Sequence, residues 1–586
     1  MIRIAAVRFA IVLLAVVAGC STFHLAPSAP VELRLIGIND FHGNLEGTGL
    51  NLFLADPQAP AGTPALRVNV GGAASLAGMV RMLREGTPNS LMIAGGDLVG
   101  AAPLVSTLFR HESTIEILND IGLDLSAVGN HEFDGGTKEL RRLMDGGCAP
   151  NVPGSAVTSC PAGPYQGARF PYIAANVTTS EGRSFVAPYV IKQVEGIPIA
   201  FIGGVLKATP QMVTPSGIAG LRFGDEADGV NRAADELRAK GVKAMVAVFH
   251  EGFELGTSAK RGDWNDVTCP EAHGPLLGIA KRLRPEIKVV FSGHTHQGYR
   301  CEIDGRLIIQ STSYGRGISV VDVQIDRATQ ALVPRRSWNL AVMNETTDPA
   351  HRAKLAAAAP EPFARVLRDA KPDAAIAEKV ARYNALAAPQ AQRSIGRITG
   401  PFTRTGRSDS SLGRLIADAQ LAATKAEGAQ IAFMNPGGIR ADIECAAPPC
   451  AVTFGQAFTA QPFGNGLVIM SLTGAQIRKA LESQQRGAGG NPRFLQPSEG
   501  FTYTWQSDAP PGERVRDMKL NGEHIVPEKT YRVTVNSFLA EAGDGFDSLL
   551  EGTGHKGGGP DIDALVAFLS AGERSPSAIP RVTRLP

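Results

Sequence analysis

The sequence predicts an α/β protein made of two successive α/β domains, and three observations predict it. Apolar, β-rich runs alternate with helical patterns from residue 31 to about 340, as in packed sheets covered by helices. An Ala-, Lys- and Arg-rich stretch over 341–392 breaks that alternation and reads as helix interrupted by prolines. Strand and helix patterns then resume over 393–586. A chain of 586 residues, 44% hydrophobic and 19% charged, is long enough for two cores. Its formal net charge of +2, with no polybasic run, gives no case for a nucleic-acid polymer as partner.

In chain order, residues 1–20 read as a secretion signal. Arg3 and Arg8 precede an apolar core from Phe9 to Ala18, short of the roughly 20 residues a membrane span needs. Val17-Ala18-Gly19-Cys20 matches a lipobox, so Cys20 is the expected lipidated first residue after cleavage, with 21–30 as a tether. Ser21, in place of the aspartate associated with inner-membrane retention, favours the outer membrane, facing the periplasm or the cell surface. The membrane is then a partner through the lipid anchor alone. Six further cysteines suit an exported protein. Their simplest connectivity is Cys148–Cys160, Cys269–Cys301 and Cys445–Cys450, though spacing does not prove it.

Over 31–340, VELRLIGIN, SLMIAGGD, LSAVGN, IPIAFIGG, AMVAVFH and IKVVFSG read as strands. Helical spacing is expected up to Gly86, from Thr114 to Gly122, and from Asp225 to Lys240. In the second domain, SDSSLGRLIADAQLAATKA offers Ser or Asp as a cap before an apolar helical stripe, and QIAFMNPGGIR gives strand, turn and arginine.

Seven candidate metal ligands stand where strands of the first domain end: Asp40 and His42, Asp97, Asn130, His250, and His294 and His296. Strand ends on one rim are where open α/β sheets bind ligands. A D-x-H or H-x-H alone usually marks an ordinary loop histidine, but five ordered clusters, each after a strand, point to a metal centre. Two divalent metals so held can activate a water and neutralise phosphate charge.

These motifs resemble the calcineurin-like metallophosphoesterases and, more closely, the two-domain bacterial 5'-nucleotidase family that includes the periplasmic UDP-sugar hydrolase/5'-nucleotidases. The likeness runs from about Val31 to Pro586. It implies a four-layer α/β/β/α sandwich, a linking helix and a smaller α/β substrate-binding domain. It also implies two divalent ions (Zn, Mn, Co or similar), one on Asp40, His42, Asp97 and His296, the other on Asp97, Asn130, His250 and His294. Some relatives carry Gln where His296 stands, a change that would alter metal preference. His131 and Asp134 in GNHEFD match the family's catalytic dyad, the histidine stabilising charge on the transferring phosphoryl group.

Downstream, Asn435, Gly437, Gly438 and Arg440 match the substrate motif N-x-G-G-I-R. Phe463 and Phe538 match two aromatics that sandwich a nucleobase, and Asp544 matches a ribose-binding aspartate. Ala542-Gly543 before this aspartate and SDSSLGRL upstream depart from the usual pattern. These departures leave phosphate-side arginine contacts from this segment open, with Arg407 and Arg414 both available. The expected function is removal of the 5'-phosphate of nucleotides by metal-activated water, with no residue resembling an activated Ser or Cys nucleophile. Activity on 2',3'-cyclic or 3'-nucleotides, UDP-sugar pyrophosphate cleavage and thiosulfohydrolysis share the scaffold. A non-catalytic nucleoside-binding surface protein is the alternative from another class.

Overall fold

The computed structural model describes residues 29–60, 63–151, 157–256, 263–406, 408–485 and 492–585. The expected signal, Cys20 and Arg407 lie outside the described residues.

Two six-stranded sheets form the centre of the first domain. In one, Val31–Ile38, Ser90–Ala94, Leu125–Ala127 and Tyr172–Ile173 run parallel, and Gly317–Ile325 and Leu332–Ala341 add antiparallel at one edge. In the other, Ile197–Val205, Ala244–His250, Val289–Phe291 and Arg306–Ser311 run parallel between antiparallel edge strands.

The period of two along each strand decides what it faces. Leu33, Leu35, Phe201, Val246 and Val248 meet between the sheets. Ile36 and Ile38 turn outward to Leu76, Val80 and Leu83 of the helix Ala73–Arg84. Ala200, Ile202, Ala247 and Phe249 turn the opposite way, onto the helices Glu226–Ala239 and Pro275–Arg282. The result is the expected helix, sheet, sheet, helix layering. Buried on both faces, the central strands Ile197–Val205, Ala244–His250 and Val289–Phe291 are almost wholly apolar, as parallel strands require.

Predicted helix ends fall where the chemistry puts them. Asp225 caps Glu226–Ala239 through the Asp228 N–H, and Gly122 closes Glu112–Ile121 at φ 86°. The stretch read as proline-interrupted helix forms three helices, Pro349–Ala358, Phe363–Asp369 and Ala374–Ala391. The last packs against Ala73–Arg84 and Glu112–Ile121 of the first domain and against Phe454–Ala460 of the second. Tyr383 on it donates a hydrogen bond to Glu116 (2.8 Å), and Lys379 pairs with Asp120 (2.6 Å). One apolar cluster runs from Ile36 through Tyr383 to Leu565, so the linking helix is part of the core.

The second domain carries a five-stranded sheet ordered Gln496–Pro497, Ile431–Met434, Thr530–Asn536, Gly466–Thr473 and Thr553–Pro560. Helix Ser411–Thr424, capped by Ser410, packs on this sheet. Three disulfides, Cys148–Cys160, Cys269–Cys301 and Cys445–Cys450, have the sequence-local connectivity expected.

Candidate metal and nucleotide site

All seven predicted ligands converge on one rim. Asp40, His42 and His250 are fully buried, with Asp97 and Asn130 nearly so. Their ligand atoms form interlocking groups within 4.8 Å: Asp40, His42 and His296; His42, Asp97 and His131; and Asp97, His250 and His294. Asp97 Oδ2 lies 3.0 Å from His250 Nε2 and 3.6 Å from His42 Nε2, and Asn130 Oδ1 lies 3.1 Å from His250 Nε2. Asp97 thus stands at the centre, with a histidine on each side.

Five of these residues hold left-handed backbone: Asp40 (φ 49°), His42 (45°), Asp97 (50°), His294 (71°) and His296 (55°). Each such position costs on the order of 1–3 kcal/mol and persists only where surrounding structure imposes it. Here the strain bends each loop back so that its side chain returns over the strand ends.

The donor set fits divalent ions. His42 Nδ1 lies 2.8 Å from the Gly100 carbonyl and His250 Nδ1 2.7 Å from that of Gly95. A carbonyl only accepts, so Nδ1 carries a proton in both rings and Nε2 is the nitrogen left to face the centre. Asp40 and Asp97 are buried, yet among the described residues neither pairs with a lysine or arginine. Burial opposes the charge on Asp97, but His250, His131 and His42 around it hold its carboxyl well below the usual range. A buried pair of carboxylates, imidazole nitrogens and an amide oxygen suits Zn, Mn, Co and similar ions.

His131 stands beside this cluster. Its backbone N–H donates to Asp97 Oδ1 (2.9 Å) and its Nδ1 to Asp134 Oδ2 (2.8 Å). Burial lowers its pKa, but the carboxylates of Asp134 and Asp97 outweigh that and raise it above the ordinary value. That shift is towards the charged form, in which Nε2–H is a donor.

A cavity of about 400 Å³ opens from His131, Asn130 and His294 into the second domain. Asn435, Gly437, Gly438, Arg440, Phe463, Phe538 and Asp544 all line it, so the structure joins both predicted halves. Phe463 stacks over His131, centroids 5.7 Å apart and planes 24° off parallel. The Arg440 guanidinium lies 5.9 Å from the Phe463 ring. Asp544, itself at φ 56°, accepts from Asn435 Nδ2 (2.9 Å), whose Oδ1 accepts from Asn536 (2.9 Å).

Arg414 is removed as a phosphate ligand: it is buried, with its guanidinium donating to Asp409 (2.8 Å) and to the Ser577 carbonyl.

Sequence reasoning missed three contributions. Glu132, buried under the rim, accepts from the backbone N–H of Asp97 (2.9 Å), Leu98 (2.8 Å) and Gly129 (2.6 Å), fixing the loop that aims Asp97. Its place in GNHEFD was the available signal. Arg493 lines the cavity and reaches Asp544 Oδ1 at 3.3 Å. Met212, Val213 and Thr214 of the first domain line the cavity as well. No motif marks these last four.

A layered α/β domain with a histidine- and aspartate-rich rim, facing a cavity on a second domain, defines the class of two-domain metal-dependent phosphoesterases. Residues 33–298 match the family model for calcineurin-like phosphoesterases, and residues 394–551 match that for the 5'-nucleotidase C-terminal domain. The chain belongs to this family of calcineurin-like phosphoesterases with a 5'-nucleotidase C-terminal domain. It is 33% identical over 562 residues to Endonuclease YhcR of Bacillus subtilis, an alignment covering 94% of this chain and 41% of that protein. The chain thus spans less than half of that relative's length. A probable 5'-nucleotidase of Treponema pallidum is 26% identical over 601 residues, covering 92% of each chain. The crystal structure of a 5'-nucleotidase precursor from Thermus thermophilus superposes with a TM-score of 0.70 at 26% identity, covering 95% of this chain and 99% of that one.

Proposed function

We propose that this protein removes the 5'-phosphate of nucleotides, giving nucleoside and inorganic phosphate. The observation that carries this reading is a single cavity lined both by His131 and His294 of the first domain's rim and by Phe463, Phe538 and Asp544 of the second domain. Its volume of about 400 Å³ suits a small molecule. That size, and walls contributed by both domains, favour a mononucleotide over a polymer strand.

Two divalent ions, one held by Asp40, His42, Asp97 and His296 and the other by Asp97, Asn130, His250 and His294, would supply positive charge to the phosphoryl oxygens and acidify the attacking water. Asp97 would belong to both sets. His131 donates its Nε2–H to the phosphoryl group as negative charge develops towards the leaving 5'-oxygen, and Asp134 keeps the ring charged and oriented. Phe463 and Phe538 stack the base, Asp544 and Asn435 accept and donate at the ribose hydroxyls, and Arg440 forks onto phosphate oxygens. Gly438 lets the backbone approach the ligand closely.

The three disulfides and the lipobox support an exported protein anchored through Cys20 to the outer membrane. Among the described residues no helix is long and apolar enough to cross a membrane. Residues 31–340 form the catalytic unit in this reading, 341–392 the linker and 393–586 the substrate-binding unit.

The test is phosphate release by the chain from Ser21 onward, with AMP, ADP, ATP, UDP-glucose, 3'-AMP and 2',3'-cAMP, each with Zn, Mn, Co or Mg after chelation. Metal-dependent hydrolysis of 5'-nucleotides is expected. Preference for 3' or cyclic substrates would overturn the substrate assignment while keeping the metal chemistry.

A further inference from the structure

Behind the nucleoside end of the cavity lies a buried polar cluster that no part of the proposed mechanism uses. Its centre is Asp561, the first residue of the helix Asp561–Ser570, only 2% exposed. The Asp561 backbone N–H donates to the Asn465 carbonyl (2.8 Å), and the Asn465 side chain lies close enough to its carboxyl to favour the charged form. Gln461 Nε2, also buried, approaches the same carboxyl at 3.5 Å. Gln461 and Asn465 are the two ends of the loop Gln461-Pro462-Phe463-Gly464-Asn465 that carries Phe463.

The cluster also reaches the other aromatic. Asn465 Oδ1 accepts from Ser537 Oγ (3.3 Å), and Ser537 opens the short helix Ser537–Ala540 that carries Phe538. On its other side the loop follows Ala460, whose carbonyl accepts from the Arg440 backbone N–H (2.9 Å). Asp561 does not line the cavity, yet it is at most two hydrogen-bonded steps from the segments that present Phe463 and Phe538.

We propose that Asp561 is a positioning residue for the nucleobase clamp, holding the Phe463 loop at both ends and, through Asn465 and Ser537, setting its spacing to Phe538. This rests on the nucleotide reading above. Burying a carboxyl without a cationic partner is costly, and here burial pushes its pKa up to about 7. The backbone N–H groups of Ile562 and Asp561 at the start of its own helix favour the charged form, as does the Asn465 side chain, so the acid serves the helix start as well as the loop, which a leucine could not. Spacing is what such a clamp needs, because stacking weakens steeply once the rings part by more than the thickness of a base.

The test compares Asp561→Ala and Asp561→Asn in the full metal-loaded chain, using AMP and p-nitrophenyl phosphate, which has no nucleobase. Adenosine binding by calorimetry adds a readout that needs no turnover. Asp561→Ala is expected to raise both KM for AMP and the adenosine Kd about tenfold, as loss of buried hydrogen bonds does. Its kcat and its hydrolysis of p-nitrophenyl phosphate stay within a few-fold of wild type. Asp561→Asn, which keeps a polar group of the same shape, stays close to wild type throughout. Should Asp561→Ala fail to fold, Gln461→Met removes the contact from the loop side and is expected to raise the same two constants. Unchanged adenosine affinity in the variant overturns the proposal, and so does a parallel loss of p-nitrophenyl phosphate hydrolysis, which marks general damage. Wild-type protein that binds no adenosine overturns instead the nucleotide reading, and this proposal with it.

Discussion

The two ends of the cavity are built on opposite principles. At the metal end, Asp40, His42, Asp97, Asn130 and His250 are buried, and each follows a strand whose register is fixed by apolar contacts on both faces. At the nucleoside end, Phe463 and Phe538 are half-buried and Gly437 is exposed, on separate loops that meet only in the folded domain. The first end stores strain in five left-handed residues, whereas the second has only Ala542 and Asp544 in that conformation and relies more on hydrogen bonds between side chains. Groups that shape a transition state must be preorganised, whereas groups that choose a substrate need only fit its ground state. Damage at the metal end should therefore fall on kcat, and damage at the nucleoside end should be graded and fall on KM.

The hardest test of that contrast is Asp97→Ala. With the residue shared by both metal sets gone, hydrolysis of AMP and of p-nitrophenyl phosphate alike should drop to background, with metal content falling in parallel. Measurable metal-dependent turnover in this variant would break the comparison at its strongest point. His131→Ala comes next, because it leaves all seven proposed ligands in place. A loss of about 10²–10⁴-fold in kcat is expected, the usual range for a positioned acid or base, with bound metal unchanged. A variant whose metal content also collapses would make His131 a ligand, as its place within reach of His42 and Asp97 allows.

Phe463→Ala probes the other end. Base stacking is worth about 1–3 kcal/mol, so KM for AMP should rise on the order of tenfold or more while p-nitrophenyl phosphate is cleaved at the wild-type rate. Equal loss on both substrates would mean that the Phe463 ring, stacked over His131, serves the chemistry instead.

The same contrast explains what could be read in the sequence. The metal end was legible because each ligand sits within a few residues of a strand end, where local pattern and motif coincide, as in AGGDLVG and SGHTHQG. The helix Glu226–Ala239 was legible through its spacing from Asp225 to Lys240, and Ser411–Thr424 through its cap, Ser410. Glu132 was hidden because, apart from Gly129 within its own motif, its partners are the amides of Asp97 and Leu98, more than thirty residues earlier, which no pattern displays. Arg493 and Asp561 were hidden for a related reason: their roles exist only through Asp544, Gln461 and Asn465, residues distant in sequence. Arg414 shows the converse, an arginine in a suggestive segment that Asp409 claims for the core.

The finest distinction concerns Arg493, which sharpens the comparison by the smallest effect. Its side chain is half exposed and meets Asp544 through a single contact of 3.3 Å, a geometry worth about 0.2–1 kcal/mol. Arg493→Met should therefore raise KM for AMP only about 1.5–5-fold, at unchanged kcat. If Asp544 reads the ribose hydroxyls, and Arg493 acts by orienting Asp544, the effect must disappear with 2',3'-dideoxy-AMP, which offers that carboxylate nothing to bind. The comparison is a cycle with one change in the protein and one in the substrate, and its coupling isolates the Arg493–Asp544–ribose chain. A KM shift of equal size on both substrates would place Arg493 on the base or the phosphate instead. A shift confined to AMP would tie the nucleoside end to the sugar by a contact that the metal end does not feel.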